Sequence, residues 1–283
     1  EANPQLHEAV LLAAECAASQ QQFERALTHL DQLKSSAPKT LLGAAIWRAE
    51  WNLHGTFRLS AAEEAYRKIL EIDPENVLAN TELARLLGMC ARRREAIPHV
   101  LRLIRLNEET DLLILLMREN GVINERELLE KAHRKNPADP ATLIGLSWHA
   151  SESDDFDQSI SLLQKALDIA PGHPAATAAL GQHLLKAGRL KELSTWEARL
   201  RNANSSNIME QSGVWLVLGQ MADRTDDPKG AIRCYWECAR RAPELRMPAN
   251  RLAQLLAAAG NDRAAEAFSE HVRRLVKLGE VQD

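Results

Sequence analysis

Cys234 and Cys238 stand four residues apart, a spacing that puts two sulfurs on one face of a helix, where they could share a metal ion. The other two cysteines, Cys16 and Cys90, stand alone, and no Cys-x-x-Cys pair gives a zinc spacing. Each cysteine sits on an apolar helical stripe, so the expected role is a small core residue in a reducing compartment. The nine histidines (His7, His29, His54, His99, His133, His149, His173, His183 and His271) are scattered without ligand spacing and are expected mostly at the surface. The acidic run Ser151–Asp157, "SESDDFD", has a calcium-loop composition but lacks the spaced ligands and central glycine. Asp154 or Asp155 is expected to cap the helix that follows. There is no GxSxG elbow, HExxH pair, Walker loop or GxGxxG. No catalysis, metal or cofactor is expected.

Two further clusters could bind rather than react. "ARRREA", Ala91–Ala96, is a basic turn, either simply solvated or a docking patch for an acidic partner. It has no interleaved aromatics of the kind that stack nucleobases, so no nucleic-acid partner is expected. Six of the twelve aromatic residues are tryptophan, and Trp47 and Trp51 would share a helix face. Tryptophan is a frequent anchor of protein interfaces.

The elements that must position these residues follow from composition and spacing. Charged residues make up 26% of the 283, and the net charge of −4 argues for neither nucleic acid nor an acidic membrane surface. The longest apolar run, Leu112–Met117, is too short to span a bilayer, and no signal-peptide pattern is present. The chain begins at Glu1 rather than Met, so it is expected to be a truncated or processed product, from which an upstream targeting segment or membrane anchor could have been lost. The compartment is expected to be cytoplasmic, with a periplasmic or secreted location as the alternative.

Four segments share one spacing: a small residue, a large one four later, an apolar one three later, and a proline after five more. They are Ala26, Leu30, Leu33, Pro38; Ala62, Tyr66, Ile69, Pro74; Ser159, Leu163, Ala166, Pro171; and Ala231, Tyr235, Cys238, Pro243. Four-then-three is one face of a helix, and the proline marks its end. Before these come large–small pairs: Leu83-Ala84, Leu180-Gly181, Leu218-Gly219 and Leu252-Ala253. A mid-helix glycine costs about 1 kcal/mol, which is offset where a neighbouring helix backbone must approach closely. The unit is therefore two helices and two turns, with a period near 34, as between Pro137 and Pro171.

This pattern resembles the tetratricopeptide repeat family over essentially the whole chain. Trp215, Leu218, Gly219, Ala222, Ala231, Tyr235 and Pro243 fall at that family's signature positions. The expected fold is all-α: a single right-handed superhelical solenoid over 1–283. It has about eight repeats, at 5–38, 40–74, 75–108, 109–137, 138–171, 172–208, 209–243 and 244–278. The fourth is about five residues short, with a compressed first helix near "TDLLILLMRE". The sixth ends in the loop-like "NANSSN", and the phase slips by about four before the seventh. Pro98 falls inside a second helix and would cost a helix bond unless it lies in the first turn.

The resemblance implies that first helices line a concave groove where partners bind. On that register Trp47, Trp51, Arg85, Ile144, Trp148, Gln182, Leu216 and Gln220 face the groove. For Trp47 and Trp51 the expectation is that at least one does; the alternative is that both pack. Counting back from Pro74 makes Ile46, Ala49 and Leu53 the core positions and puts Glu50 where the family wants a small residue. Trp215 is expected in the core, and Trp196 and Trp236 between units or on the convex side. Members of the family that hold chaperone C-termini use groove lysines and asparagines; no such set is found here, so that role is not expected. The implied function is non-catalytic scaffolding of a protein or peptide. The chain is expected to serve as a subunit or adaptor of a larger complex, without membrane insertion. The alternative is a regulatory or targeting arm of a larger enzyme or envelope export machine.

Overall fold

The computed structural model describes residues 4–33, 37–106, 125–202 and 206–280. Among them are sixteen α-helices, one π-helical turn and no strand. The chain forms two compact units, Glu1–Asp154 and Asp155–Asp283. In the first lie α1 Pro4–Ser19, α2 Phe23–Asp31, α3 Pro38–Glu50, α4 Leu59–Ile72, α5 Val77–Met89, α6 Arg93–Arg105, α7 Glu125–Lys135 and α8 Pro140–Glu152. In the second lie α9 Phe156–Ile169, α10 Pro174–Lys186, α11 Leu190–Asn202, α12 Ser206–Met209, α13 Ser212–Arg224, α14 Pro228–Arg241, α15 Arg246–Ala258 and α16 Asp262–Glu280.

The repeat has a backbone marker. Among the described residues, seven first helices each end in a tight turn containing one residue at positive φ: Gln21, Phe57, Ala91, Asp154, Gly188, Asp226 and Gly260. Only Gly188 and Gly260 reach that region without steric cost. Spacing follows the period: Phe57 to Ala91, Asp154 to Gly188 and Asp226 to Gly260 are each 34 residues. Between Gly188 and Asp226 it is 38, which is the phase slip before the seventh repeat. The compressed helix near "TDLLILLMRE" lies outside the described residues, as do residues 203–205 of "NANSSN".

The four-then-three stripes are core. Ala26, Ala62, Tyr66, Ile69, Ser159, Leu163, Ala166, Ala231 and Cys238 are fully buried, and Tyr235 nearly so. Large–small pairs work differently from the backbone approach expected of them: an aromatic ring of the second helix fills the space. A Cβ on Gly219 would meet the Tyr235 ring at 2.7 Å, and one on Gly181 the Trp196 ring at 2.5 Å. Trp196 is buried there and donates its indole N–H to the Thr177 carbonyl at 2.9 Å. Trp236 stays half exposed, its ring edge-on to Phe268.

Gln21 to Phe57 spans 36 residues, and a π-helical turn, Trp51–Thr56, lies in this longer second repeat ahead of α4. Ala49 and Leu53 are fully buried and Ile46 partly so. Glu50 accepts the Tyr66 hydroxyl at 2.9 Å, so it serves as a partner for the tyrosine rather than a packing defect. Pro98 lies beyond the first turn of α6, where its nitrogen forgoes one helix bond.

Part of the first unit departs from simple stacking. The turn before α8 docks on the turn before α4, some 80 positions away in sequence. Asn136 donates to the carbonyls of Thr56 at 2.7 Å and Phe57 at 3.0 Å. The Asp139 carboxylate caps its own helix through the Thr142 N–H at 3.2 Å. It also accepts the Ser60 N–H at 3.1 Å and the Ser60 hydroxyl at 2.9 Å. The Lys131 and Lys135 ammoniums lie 4.5 and 4.7 Å from the centre of the Phe57 ring. Leu129, Ala132 and Ala141 thereby join one core with residues of α4, α5 and α6.

Candidate functional site

The positive-φ turn residue gives the seven repeats whose first helices are described a common ruler. The sixth residue before it is Glu15, Trp51, Arg85, Trp148, Gln182, Gln220 and Gln254 in chain order. The tenth before it is Leu11, Trp47, Thr81, Ile144, Ala178, Leu216 and Asn250. All eight residues expected in the groove therefore occupy two equivalent positions of the first helices.

In the second unit these positions open onto a cavity. It has a volume of about 680 Å³ and is bounded by the first helices α10, α13 and α15, with Tyr235 of α14 at its floor. Gln182, Leu216 and Gln220 line it together. Proline at the first position starts α10, and His173 caps it through the Ala176 N–H at 3.4 Å. Glycine at 181 and 219 lets Trp196 and Tyr235 lie flat against α10 and α13, which fixes how those helices present their outer faces.

Three helices are tied at the cavity floor. Tyr235 donates its hydroxyl to Asp223 at 2.7 Å, and Arg251 grips the same carboxylate with Nε at 2.9 Å and Nη2 at 3.0 Å. Burial alone would raise the Asp223 pKa; the hydrogen bonds and charge of Arg251 outweigh it and hold the carboxyl below its ordinary value. Burial and the Asp223 bond push the Tyr235 phenol up, so it stays protonated. Arg251 also donates to Gln254 at 3.0 Å. Lys186 and Arg224, the last residues of α10 and α13, are exposed on the wall and make no ion pair among the described residues. Sequence reasoning missed Lys186, Leu185, Asp223, Arg224, Met247 and Arg251. For Lys186 and Arg224 the signal was available, because they share the 38-residue offset that relates Gln182 to Gln220.

The first unit treats the same positions differently. Trp47 and Trp51 stack with centroids 5.4 Å apart and 24° between planes. Both are half-buried, packed with Leu11 and Leu33 against Ala14, Leu30 and Ala44. Arg85 is held by Glu82. Trp148 is half-buried, with the Arg93 guanidinium 5.5 Å from its ring centre and His149 edge-on. Ile144, expected on an open face, is only 3% exposed. Its helix, α8, packs against α4 as well as α7.

Other expectations resolve locally. In "ARRREA", Arg92 is buried between Glu63 and Glu95, each at 2.6 Å, and Arg93 lies over Trp148. Arg92 is thereby neutralised within the fold. Asp155 caps α9 through the Gln158 N–H at 3.0 Å. Trp215 is half-buried rather than core: its indole donates to Met209 at 2.7 Å, and the Arg241 guanidinium lies 5.4 Å from its ring. His183 is buried against Ser159, contrary to the surface role expected of the histidines, and burial drops its pKa to about 4. Cys90 and Cys238 are core residues, whereas Cys16 is exposed. Among the described residues no cluster has metal-ligand geometry, and no helix is long and apolar enough to cross a membrane.

A family model described as a tetratricopeptide repeat matches residues 150–192. It falls on the part of the chain where the small–large stripe, the mid-helix glycine and the turn marker coincide. The chain thus carries a tetratricopeptide repeat at residues 150–192. Such repeats generally serve as protein–protein interaction scaffolds and typically carry no catalysis. Among solved structures, a double mutant of MamA from Desulfovibrio magneticus RS-1 is 16% identical, with a TM-score of 0.43 over 58% of this chain and 89% of that one. A human IFIT1 dimer with PPP-AAAA is 15% identical, with a TM-score of 0.41 over 90% and 69%. YrrB, described as a TPR protein with an unusual peptide-binding site, is 14% identical, with a TM-score of 0.39 over 76% and 93%. No curated protein matches the sequence.

Proposed function

We propose that this chain is a non-catalytic scaffold that binds a peptide or protein segment in the cavity lined by α10, α13 and α15. The observation that carries this reading is the cavity itself. It is formed by equivalent positions of consecutive first helices, and its apolar wall (Leu185, Leu216, Met247) is set among amide and charged side chains. Apolar contact with a few fixed polar groups is the usual make-up of a binding site. In the first unit, half-exposed Trp47, Trp51, Arg85 and Trp148 stand as secondary contact candidates on the same register.

The test is Leu216→Arg in the full chain. It puts a charge on the apolar wall while leaving the buried stripe of α13, Val214 and Val217, untouched. Circular dichroism is expected to stay unchanged while retention of binding partners is lost. Retention at the wild-type level by a folded variant would overturn the proposal.

A further inference from the structure

The cavity's charge and repeat geometry narrow what fits it. Four charged side chains line it: Lys186, Arg224, Arg251 and Asp223. Arg251 and Asp223 satisfy each other through two hydrogen bonds. What remains is the pair Lys186 and Arg224, both exposed and without an ion pair among the described residues. They occupy the same repeat position, two residues before the turn residues Gly188 and Asp226. Gln182 and Gln220 are likewise equivalent, one turn further back. The groove thus offers two matching rungs, each an amide followed by a cation.

Neighbouring packed helices lie roughly 8–10 Å apart. A segment extended as a polyproline II helix advances about 3.1 Å per residue with three residues per turn, so about three residues span one rung to the next and return a side chain to the same face. An amide side chain both donates and accepts, so each glutamine can pair with a peptide group of an extended segment. The cations then face side chains three residues apart on that segment.

Resting on the groove reading above, we propose that the occupant is an extended peptide segment bearing two acidic side chains three residues apart. Those side chains pair with Lys186 and Arg224, the peptide backbone bonds to Gln182 and Gln220, and an apolar side chain rests on Leu185, Leu216 and Met247. These carboxylates belong to side chains, not to a free C-terminus.

The experiment is selection of random twelve-residue peptides, displayed with their C-termini fused to the carrier, on the immobilised full chain. Wild type is expected to enrich peptides with Asp or Glu at i and i+3 beside an apolar residue. Synthetic versions of the enriched peptides should bind Lys186→Glu/Arg224→Glu on the order of tenfold more weakly, since exposed pairs are individually modest. Lys186→Gln/Arg224→Gln should fall between, and added salt should narrow the difference. Peptides enriched without acidic residues, and lost in Leu216→Arg but not in the charge variants, would overturn the acidic inference and leave the groove standing. Peptides indifferent to both sets of variants, or no enrichment at all, would overturn both.

Discussion

Asp139→Ala is the substitution whose cost the fold specifies most sharply. The side chain is buried and accepts three hydrogen bonds. Two of these come from backbone N–H groups in the first turns of different helices, α8 and α4. An N-cap is worth about 1 kcal/mol, so losing two costs about 2 kcal/mol. The Ser60 hydroxyl then loses its acceptor in a part-buried site, adding about 1 kcal/mol. The expected total is roughly 3 kcal/mol. Asp155→Ala is the control, since it removes one exposed cap, on α9, at about 1 kcal/mol. A repeat array need not unfold in two states, so a single melting curve is a poor readout. Backbone hydrogen exchange is the better assay. Asp139→Ala should speed exchange at the starts of both α4 and α8, and Asp155→Ala at the start of α9 alone. Equal costs for the two variants, with α4 protection unchanged, would refute the double-cap argument.

Other predictions follow from single features. Ala91 sits at φ 57° on an exposed turn. Ala91→Gly should therefore stabilise by about 0.5–1 kcal/mol, while Gly260→Ala, at φ 73° with nothing near its Cβ, should destabilise by a similar amount; urea titration reads both. Gly219→Ala should cost about 1–3 kcal/mol by pushing the Tyr235 ring, as urea titration would read. Acid should destabilise the chain in two stages. His183 resists protonation when folded, so stability falls between about pH 6.5 and 4 as only the unfolded chain takes the proton; His183→Gln should flatten that limb. Burial raises the Glu63 pKa, but Arg92 and Arg67 lower it further, so its contribution holds above the ordinary carboxylate range and is lost at lower pH, as Glu63→Gln should show.

The repeat, its stripes and its turn spacing were legible because a 34-residue period repeats the same packing problem, and the same residue types solve it each time. Even the second repeat's register could be read by counting back from Pro74, although its π-helical turn could not, since nothing in "WNLHGT" marks a widened turn. The docking of Asn136 and Asp139 on the turn before α4 was hidden for a different reason. It joins two turns far apart in sequence, and short polar side chains at turns look the same whether they cap one helix or two. Ile144 carried the right repeat position, but burial depends on which helices close over α8, and that is a tertiary fact. At the cavity, Gln182, Leu216 and Gln220 followed from register. The Asp223–Arg251 pair did not, because it spans two helices, and only its neutralisation singles out Lys186 and Arg224.

The measurement that bears most directly on the central claim is site-specific photo-crosslinking of the full chain in a native extract. A benzophenone amino acid would replace Gln220 on the cavity wall or, separately, exposed Trp236 on the second helix of the same repeat. Groove binding predicts discrete adducts from position 220 that are absent from position 236. Adducts from position 236 with none from 220 would contradict it.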